Sequence, residues 1–459
     1  MALSAQASEF NLQGTASLAK GDFAAAVATF DKALALAARP DTAMLHYNRG
    51  TARHLQGDLS GALADFDEAL AIVPQFAEAH NNRGMSRQTR GDLTAALRDF
   101  EQALALNPAY VEAHNNRGMV RRMLGDLPGA LADFERAIAL NPKYAEARNN
   151  RGIVHQAMGN LDAALADFDH AIALEPGYAQ AYCNRGAARH DLAERRHPSH
   201  LRAFIDHGVA APARDDLAEA IADFDRALEV APRAAAVSIH HNRGAARQAQ
   251  GDVRGALVDF DQALALDPKH APTYANRGPA RKALGDLVGA RADLDEAVRL
   301  TPRALAAPVY HNRGGVRVLQ NDFAGAIADY DEALRIDPNL LVARLSRGNA
   351  RYHQRDPQAF MDHWDALRAN APLAVREIIQ MLSDDLQRDS AAVLRNCDKH
   401  LRINPLDVTA YFRRGLSRLL LGDPGPEAAH DLDRIVQLRP DLAEPLALLS
   451  DEAKRRRLH

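Results

Sequence analysis

A chain of 459 residues could hold about three ordinary domains, but 47% hydrophobic residues, only 5% aromatics and alanine in almost every short window suit thin, closely packed helices better than three separate cores. A formal net charge of -4 gives no general attraction to nucleic acid or anionic membrane, and only Lys454 to Arg457 is locally basic. Cys183 and Cys397 stand alone, which excludes a disulfide framework and a thiolate metal site; with no signal-peptide pattern in Met1 to Phe10 and no run of roughly 18 apolar residues, a soluble protein of a reducing, cytoplasmic compartment is expected.

The chain repeats itself. After an atypical first unit from about Ser8, with Gly14, the tripeptide Asn-Arg-Gly places glycines at 50, 84, 118, 152 and 186, then at 244, 278 and 314, and Ser-Arg-Gly places Gly348. The steps are 34, 34, 34, 34, 58, 34, 36 and 34 residues, and Gly415 lies 67 further on, one short of two periods. With the glycine as position 8 of a 34-residue unit, position 20 is alanine (Ala62, Ala96, Ala130, Ala164) and position 24 is large (Phe66, Phe100, Phe134, Phe168, Phe260, Leu294, Tyr330). Position 27 is alanine again (Ala69, Ala103, Ala137, Ala171), and position 32 is proline (Pro74, Pro108, Pro142, Pro176, Pro268, Pro302, Pro338).

Each unit reads as two helices. The first ends at a glycine such as Gly57, Gly91, Gly125 or Gly251; the aspartate that follows (Asp58, Asp92, Asp126, Asp252) is a good N-cap for the second, which the proline terminates. Unit six is interrupted: its second helix resumes only at Asp216, and an insert of about Ala193 to Arg214, with a short helix around Leu201 to Asp206, is expected to protrude between its helices. Unit eleven, roughly Ala374 to Asp407, has Pro405 but no Asn-Arg-Gly, and unit twelve carries Gly415 and Pro440. The expected division is a regular superhelix over 1–340, divergent repeats over 341–441, and a capping helix with a basic tail over 442–459.

In length and in its small, large, small, proline signature the unit resembles the tetratricopeptide repeat. The resemblance covers nearly the whole chain and implies an all-α, right-handed superhelical solenoid of about twelve helix-turn-helix repeats, a non-enzymatic scaffold that binds extended peptide segments of partner proteins in a concave groove.

At 100° per residue, positions 4, 7, 8 and 11 of the first helix share one stripe, and positions 2, 6, 9 and 13 the opposite one. The glycine stripe must face the second helix at close approach. It also carries arginine at position 7 (Arg49, Arg83, Arg117, Arg151, Arg185, Arg243, Arg277, Arg313, Arg347) and mostly at position 11, where the family favours aromatic residues or leucine. A buried guanidinium needs a counter-charge. Position 23 supplies Asp65, Asp99, Asp133, Asp167, Asp223, Asp259, Asp293 and Asp329, so an internal ion-pair array is expected in preference to a phosphate site. Both features lapse together in unit one (Gln13, Thr29) and unit eleven (Gln380, Asn396).

On the opposite stripe, position 6 is asparagine at Asn48, Asn82, Asn116, Asn150, Asn184, Asn242, Asn276 and Asn312. An amide can pair with both groups of an extended backbone whatever its sequence, and a similar ladder lines the repeat superhelix of O-linked N-acetylglucosamine transferase, where it grips peptide backbone; no glycosyltransferase-like region follows here. The alternative is an asparagine that bridges neighbouring hairpins. Glu78, Glu112 and Glu146 at position 2 make the groove acidic, Met85, Met119 and Ile153 add apolar spots, and Tyr110, Tyr144 and Tyr178 stand where units meet, so a basic or mixed partner segment is expected.

No nucleotide loop, nucleophile elbow or paired-histidine motif is present, so no catalytic residue, cofactor or metal is assigned. His190, His197, His200 and His207 with Asp206 match no ligand spacing; His46, His80, His114 and His240 at position 4 are expected to pack on the second helix, and His430 beside Asp431 is read as a chance neighbour. Neither nucleic acid nor membrane is expected as a partner. The competing reading is a regulatory or structural subunit that associates, with itself included, through its outer faces or the insert.

Overall fold

The computed structural model describes residues 4–196, 214–354, 361–363, 365–366, 371–423 and 425–456. Apart from its first few residues, the insert, with the short helix expected at Leu201 to Asp206, lies outside them. Among the described residues the chain is all-α, a tandem solenoid of helical hairpins. Compact packing divides it into two units, one comprising the chain up to Ala246 and the other from Arg247 onward.

Hairpins are numbered here in chain order. In the first unit, Ala5–Ala19 pairs with Phe23–Leu36, Ala43–Gln56 with Leu59–Ile72, Ala77–Arg90 with Leu93–Leu106, Val111–Met123 with Leu127–Leu140, Ala145–Ala157 with Leu161–Leu174, and Ala179–Arg196 with Arg214–Val230. Ala236–Gln250 and Val253–Leu266 are the helices of hairpin seven; in the second unit Ala271–Ala283 pairs with Leu287–Leu300 (hairpin eight), Ala307–Leu319 with Phe323–Ile336 (nine) and Val408–Leu420 with Pro426–Leu438 (twelve), and hairpin ten opens with Leu341–His353. Successive hairpins in each unit meet where a second helix packs against the next first helix.

The turn chemistry follows the sequence. Gly57 and Gly91 adopt φ of 91° and 89°, the left-handed conformation that ends the first helix, and Asp58 Oδ1 accepts from the Gly61 amide at 2.9 Å to open the second. In hairpin nine Asn321 takes the glycine's place at φ 60°, the residue type that best tolerates it after glycine. The position-8 glycines admit the ring of position 24: a Cβ on Gly84 would stand 2.8 Å from Phe100 Cε1, and on Gly118 2.8 Å from Phe134 Cε1. Those phenylalanines are fully buried, worth about 1.5–3 kcal/mol each relative to exposure.

Hairpin eleven is a single bent element, Ala371–Ile403, broken at Asp389 (φ -160°, ψ 86°). With no glycine there, the break is extended, yet Asp389 Oδ1 still accepts from the Ala392 amide at 2.8 Å, the cap made elsewhere by Asp58. The residue missing from the 67-residue step lies in hairpin ten: Arg347 meets Asp362, 15 positions on, where Arg313 meets Asp329 after 16. The last described helix, Ala443–Arg455, buries Leu446, Leu449 and Ala453 against the helices before it.

Candidate functional site

The two stripes of the first helices do different work. On the glycine stripe the position-7 arginines are paired. Arg83 donates from Nε and Nη2 to Asp99 (3.1 and 2.7 Å), and Arg87 Nη1 donates to the same carboxylate at 2.9 Å. The arrangement recurs at Arg49 and Arg53 with Asp65, Arg117 and Arg121 with Asp133, Arg185 and Arg189 with Asp223, and Arg313 and Arg317 with Asp329. Asp99 is 3% exposed. Burial alone would raise its pKa, but the nearby His80 imidazole, the hydrogen bonds from Arg83 and the charges of Arg83 and Arg87 hold it below its ordinary value. The position-4 histidines do pack here: His114 Nε2 lies 3.1 Å from the Pro108 carbonyl, which accepts from it, and Nδ1 lies 3.5 Å from Asp133.

A second arm went unread in the sequence. Arg83 Nη1 reaches back to Asp67 of the preceding hairpin at 2.8 Å, as Arg49 does to Asp31, Arg185 to Asp169, Arg277 to Asp261, Arg313 to Asp295 and Arg347 to Asp331. The signal was present, since position 25 is aspartate in those units. Hairpins three and four carry Glu101 and Glu135 there instead, and Arg117 and Arg151 make no such ion pair. Asp431 belongs to the array as well: it is the fully buried counter-ion of Arg414 and Arg418 (2.6 and 3.1 Å).

On the opposite stripe the asparagines run between hairpins. Asn116 Nδ2 donates to Asn81 Oδ1 (3.0 Å), Asn150 to Asn115 (2.9 Å) and Asn184 to Asn149 (2.8 Å), so that position 6 of one hairpin is tied to position 5 of the one before. Asn48 donates to Asn11, Asn82 to both Tyr47 Oη and Thr51 Oγ1, and Asn242 to Cys183 Sγ at 3.8 Å. The recurring Asn-Asn pairs at 81–82, 115–116 and 149–150 were the sequence signal for this bridging. Each bridge uses one of two N–H groups, so Asn116, Asn150 and Asn184 keep the other, and Asn116 keeps its carbonyl. Asn276 and Asn312 are half-buried with no hydrogen bond from their amides among the described residues.

Around this row Glu78, Glu112 and Glu146 are exposed and Tyr110, Tyr144 and Tyr178 half-buried. Met85 and Met119 pack against clusters shared with the next hairpin, Ala96, Phe100 and Val120, and Ala130, Phe134 and Val154, and Ile153 against Ala164, Phe168 and Ala188; they are partly buried and contribute less apolar surface than expected. Near the insert, His190, Asp191 and Glu194 hold ligand-type atoms within 4.8 Å of one another, but Asp191 already accepts from Gln156 Nε2 at 2.6 Å; His197, His200, His207 and Asp206 lie outside the described residues.

Comparison with known proteins agrees with this geometry. Two models of the tetratricopeptide repeat match the sequence, one at residues 11–75, 81–145 and 276–340 and the other at 124–196, together more than half of the chain. The chain belongs to the tetratricopeptide repeat family. No curated protein matches it significantly. Among solved structures, a tetratricopeptide repeat protein from Parabacteroides merdae is 20% identical and covers 59% of this chain and 97% of its own, with a TM-score of 0.44. MamA is 26% identical over 39% of this chain and 92% of its own (TM-score 0.31), and a human IFIT1 dimer with m7Gppp-AAAA is 14% identical over 86% and 90% (TM-score 0.50). These are likenesses of fold. Tetratricopeptide repeats make the chain a protein–protein interaction scaffold, in a family that is generally non-catalytic. No described helix is long and apolar enough to cross a membrane.

Proposed function

We propose that this scaffold works by holding extended segments of partner proteins along the inner stripe of its first helices. The observation that carries this reading is the contrast between the stripes. The glycine stripe is consumed by the second helix and its carboxylates, while Glu78, Glu112 and Gln180 stand exposed on the other, which no element covers among the described residues.

Within that stripe the amides of Asn48, Asn82, Asn116, Asn150, Asn184, Asn242, Asn276 and Asn312 form the backbone-reading set, with Glu78, Glu112 and Glu146 beside them. Their contributions differ. Asn82 spends both N–H groups between hairpins and so offers a partner least, whereas Asn116, Asn276 and Asn312 retain free donors and carbonyls. A row tied sideways holds its remaining groups in fixed positions, which lowers the ordering cost of binding.

Photo-crosslinking tests the reading. A crosslinking residue placed at Glu112, on the inner stripe, should trap partner proteins that the same residue at Glu101, on a second helix, does not. Partners trapped only from the second-helix position would overturn the inner-groove reading in favour of association through the outer faces.

A further inference from the structure

Hairpins two to six carry a track that the asparagine row does not account for. Tyr47, Glu78, Tyr110, Glu112, Tyr144, Glu146 and Tyr178 alternate ring and carboxylate from one hairpin to the next. Glu78 and Glu112 have neither a hydrogen bond nor an ion pair, and Glu146 is bound only by Asn115 Nδ2 (3.0 Å) and the Tyr144 hydroxyl (3.2 Å). Glu101 and Glu135 on second helices are likewise without an ion pair; what sets Glu112 and Glu146 apart is the tyrosine two residues before each, Tyr110 and Tyr144.

The half-buried rings of the track have no cation of their own. Tyr182, Tyr274 and Tyr310 each have an arginine over the ring face at 5.5, 5.4 and 5.3 Å, whereas Tyr110, Tyr144 and Tyr178 have none. Acidic neighbours surround their hydroxyls: burial raises the Tyr110 pKa, and so do Tyr47, Glu112 and Glu78; at Tyr144 burial is joined by Glu146, Glu112 and Tyr178. Tyr178 is pushed up to about 12 by burial, Glu146 and Glu175. The helix face is therefore amphipathic, negative and without an internal counter-charge.

We infer that this track is the docking face for an extended protein segment bearing lysine or arginine side chains at intervals matched to the hairpin repeat. Each cation sits against Glu78, Glu112 or Glu146 while its alkyl stem lies on a tyrosine ring, a union of charge pairing and cation–π contact. The inference rests on the inner-groove reading above and adds the sign and residue type of the occupant. The same negative field repels phosphate, so a nucleic-acid strand does not fit this face.

The test uses the full chain and three fluorescent peptides of repeated Gly-Ser-Xaa, with Xaa lysine, serine or glutamate, read by anisotropy at low and moderate salt. The lysine peptide should bind about tenfold more tightly than the serine peptide, as two or three partly exposed pairs provide, and the advantage should shrink with salt. Glu78→Gln with Glu112→Gln should abolish that preference. Glu101→Gln with Asp162→Asn, which removes two exposed carboxylates from second helices, should leave it intact and so control for overall charge. Equal binding of the lysine and serine peptides, or a preference that survives Glu78→Gln with Glu112→Gln, overturns this inference and leaves the inner-groove reading standing. If none of the three peptides binds, both fall.

Discussion

Hairpins two to five and the segment from Leu341 to Arg456 solve the same packing problem in different ways. In the former, the apolar clusters are small islands, such as Ala96, Phe100 and Val120, or Ala103, Leu104 and Ala113 at a junction, and the spaces between them are bridged by ion pairs and amides. In the latter, Leu345, Ile378, Ile379, Leu382, Leu386, Leu416, Leu420, Ile435 and Leu449 belong to one continuous core. Hairpin eleven has no arginine or aspartate at the ion-pair positions, and Gln380 and Asn396 there are exposed. The difference teaches that register along the solenoid can be held by directional polar contacts or by apolar volume, and that towards its end this chain adds the second to the first, dropping the ion pairs only within hairpin eleven.

The largest effect should come from breaking one polar step. Arg151 binds Asp167 through Nε and Nη2 (2.8 and 2.6 Å) with no second aspartate behind it, and Arg151→Ala strands a carboxylate only 3% exposed. A loss of about 3–5 kcal/mol is expected in urea denaturation; an unchanged midpoint would contradict a structural role for the array. In the apolar-core region the sensitive group is His363, fully buried beneath Gly348 in the place of the usual phenylalanine. Burial pushes its pKa from 6.5 down to about 4, against the opposing pull of Asp362. The unfolded chain therefore takes up this proton first as pH falls: its contribution is complete above pH 6.5 and is lost on descending through 4, by up to about 3 kcal/mol. His363→Phe should flatten the acid limb of a pH–stability profile, and a profile identical to that of wild type would rule the explanation out. The smallest effect belongs to the outer arm. Asp67 is 58% exposed, and Asp67→Ala should cost less than about 1 kcal/mol by the same denaturation assay.

Much of this was legible in the sequence because the repeat displays its own physics. Glycine facing phenylalanine, the capping aspartate and the arginine–aspartate pairing at a separation of 16 recur often enough that each occurrence corroborates the others. What could not be read were contacts that cross from one hairpin to the next. The Arg83 to Asp67 arm and the Asn116 to Asn81 bridge depend on how neighbouring hairpins are set against each other, and a helical-wheel argument treats each helix alone. For the same reason the asparagines looked freer, and Met85 and Met119 more exposed, than they are. Asp431 escaped notice because its spacing from Arg414 is 17, outside the register that revealed the other pairs.

The junctions on either side of hairpin four lack the aspartate arm, because Glu101 and Glu135 replace it, and their polar links are the amide bridges of Asn116 and Asn150, joined at the second by Asn115 to Glu146. A series of links with two softer members concentrates its strain in those two. Under tension, or when a ligand demands a slightly different pitch, deformation should gather beside Glu112 and Glu146, so the spacing of the cation-seeking groups is the most adjustable dimension of the inner face. Elastic compliance placed there lets one rigid repeat accommodate partner segments whose charges are not evenly spaced.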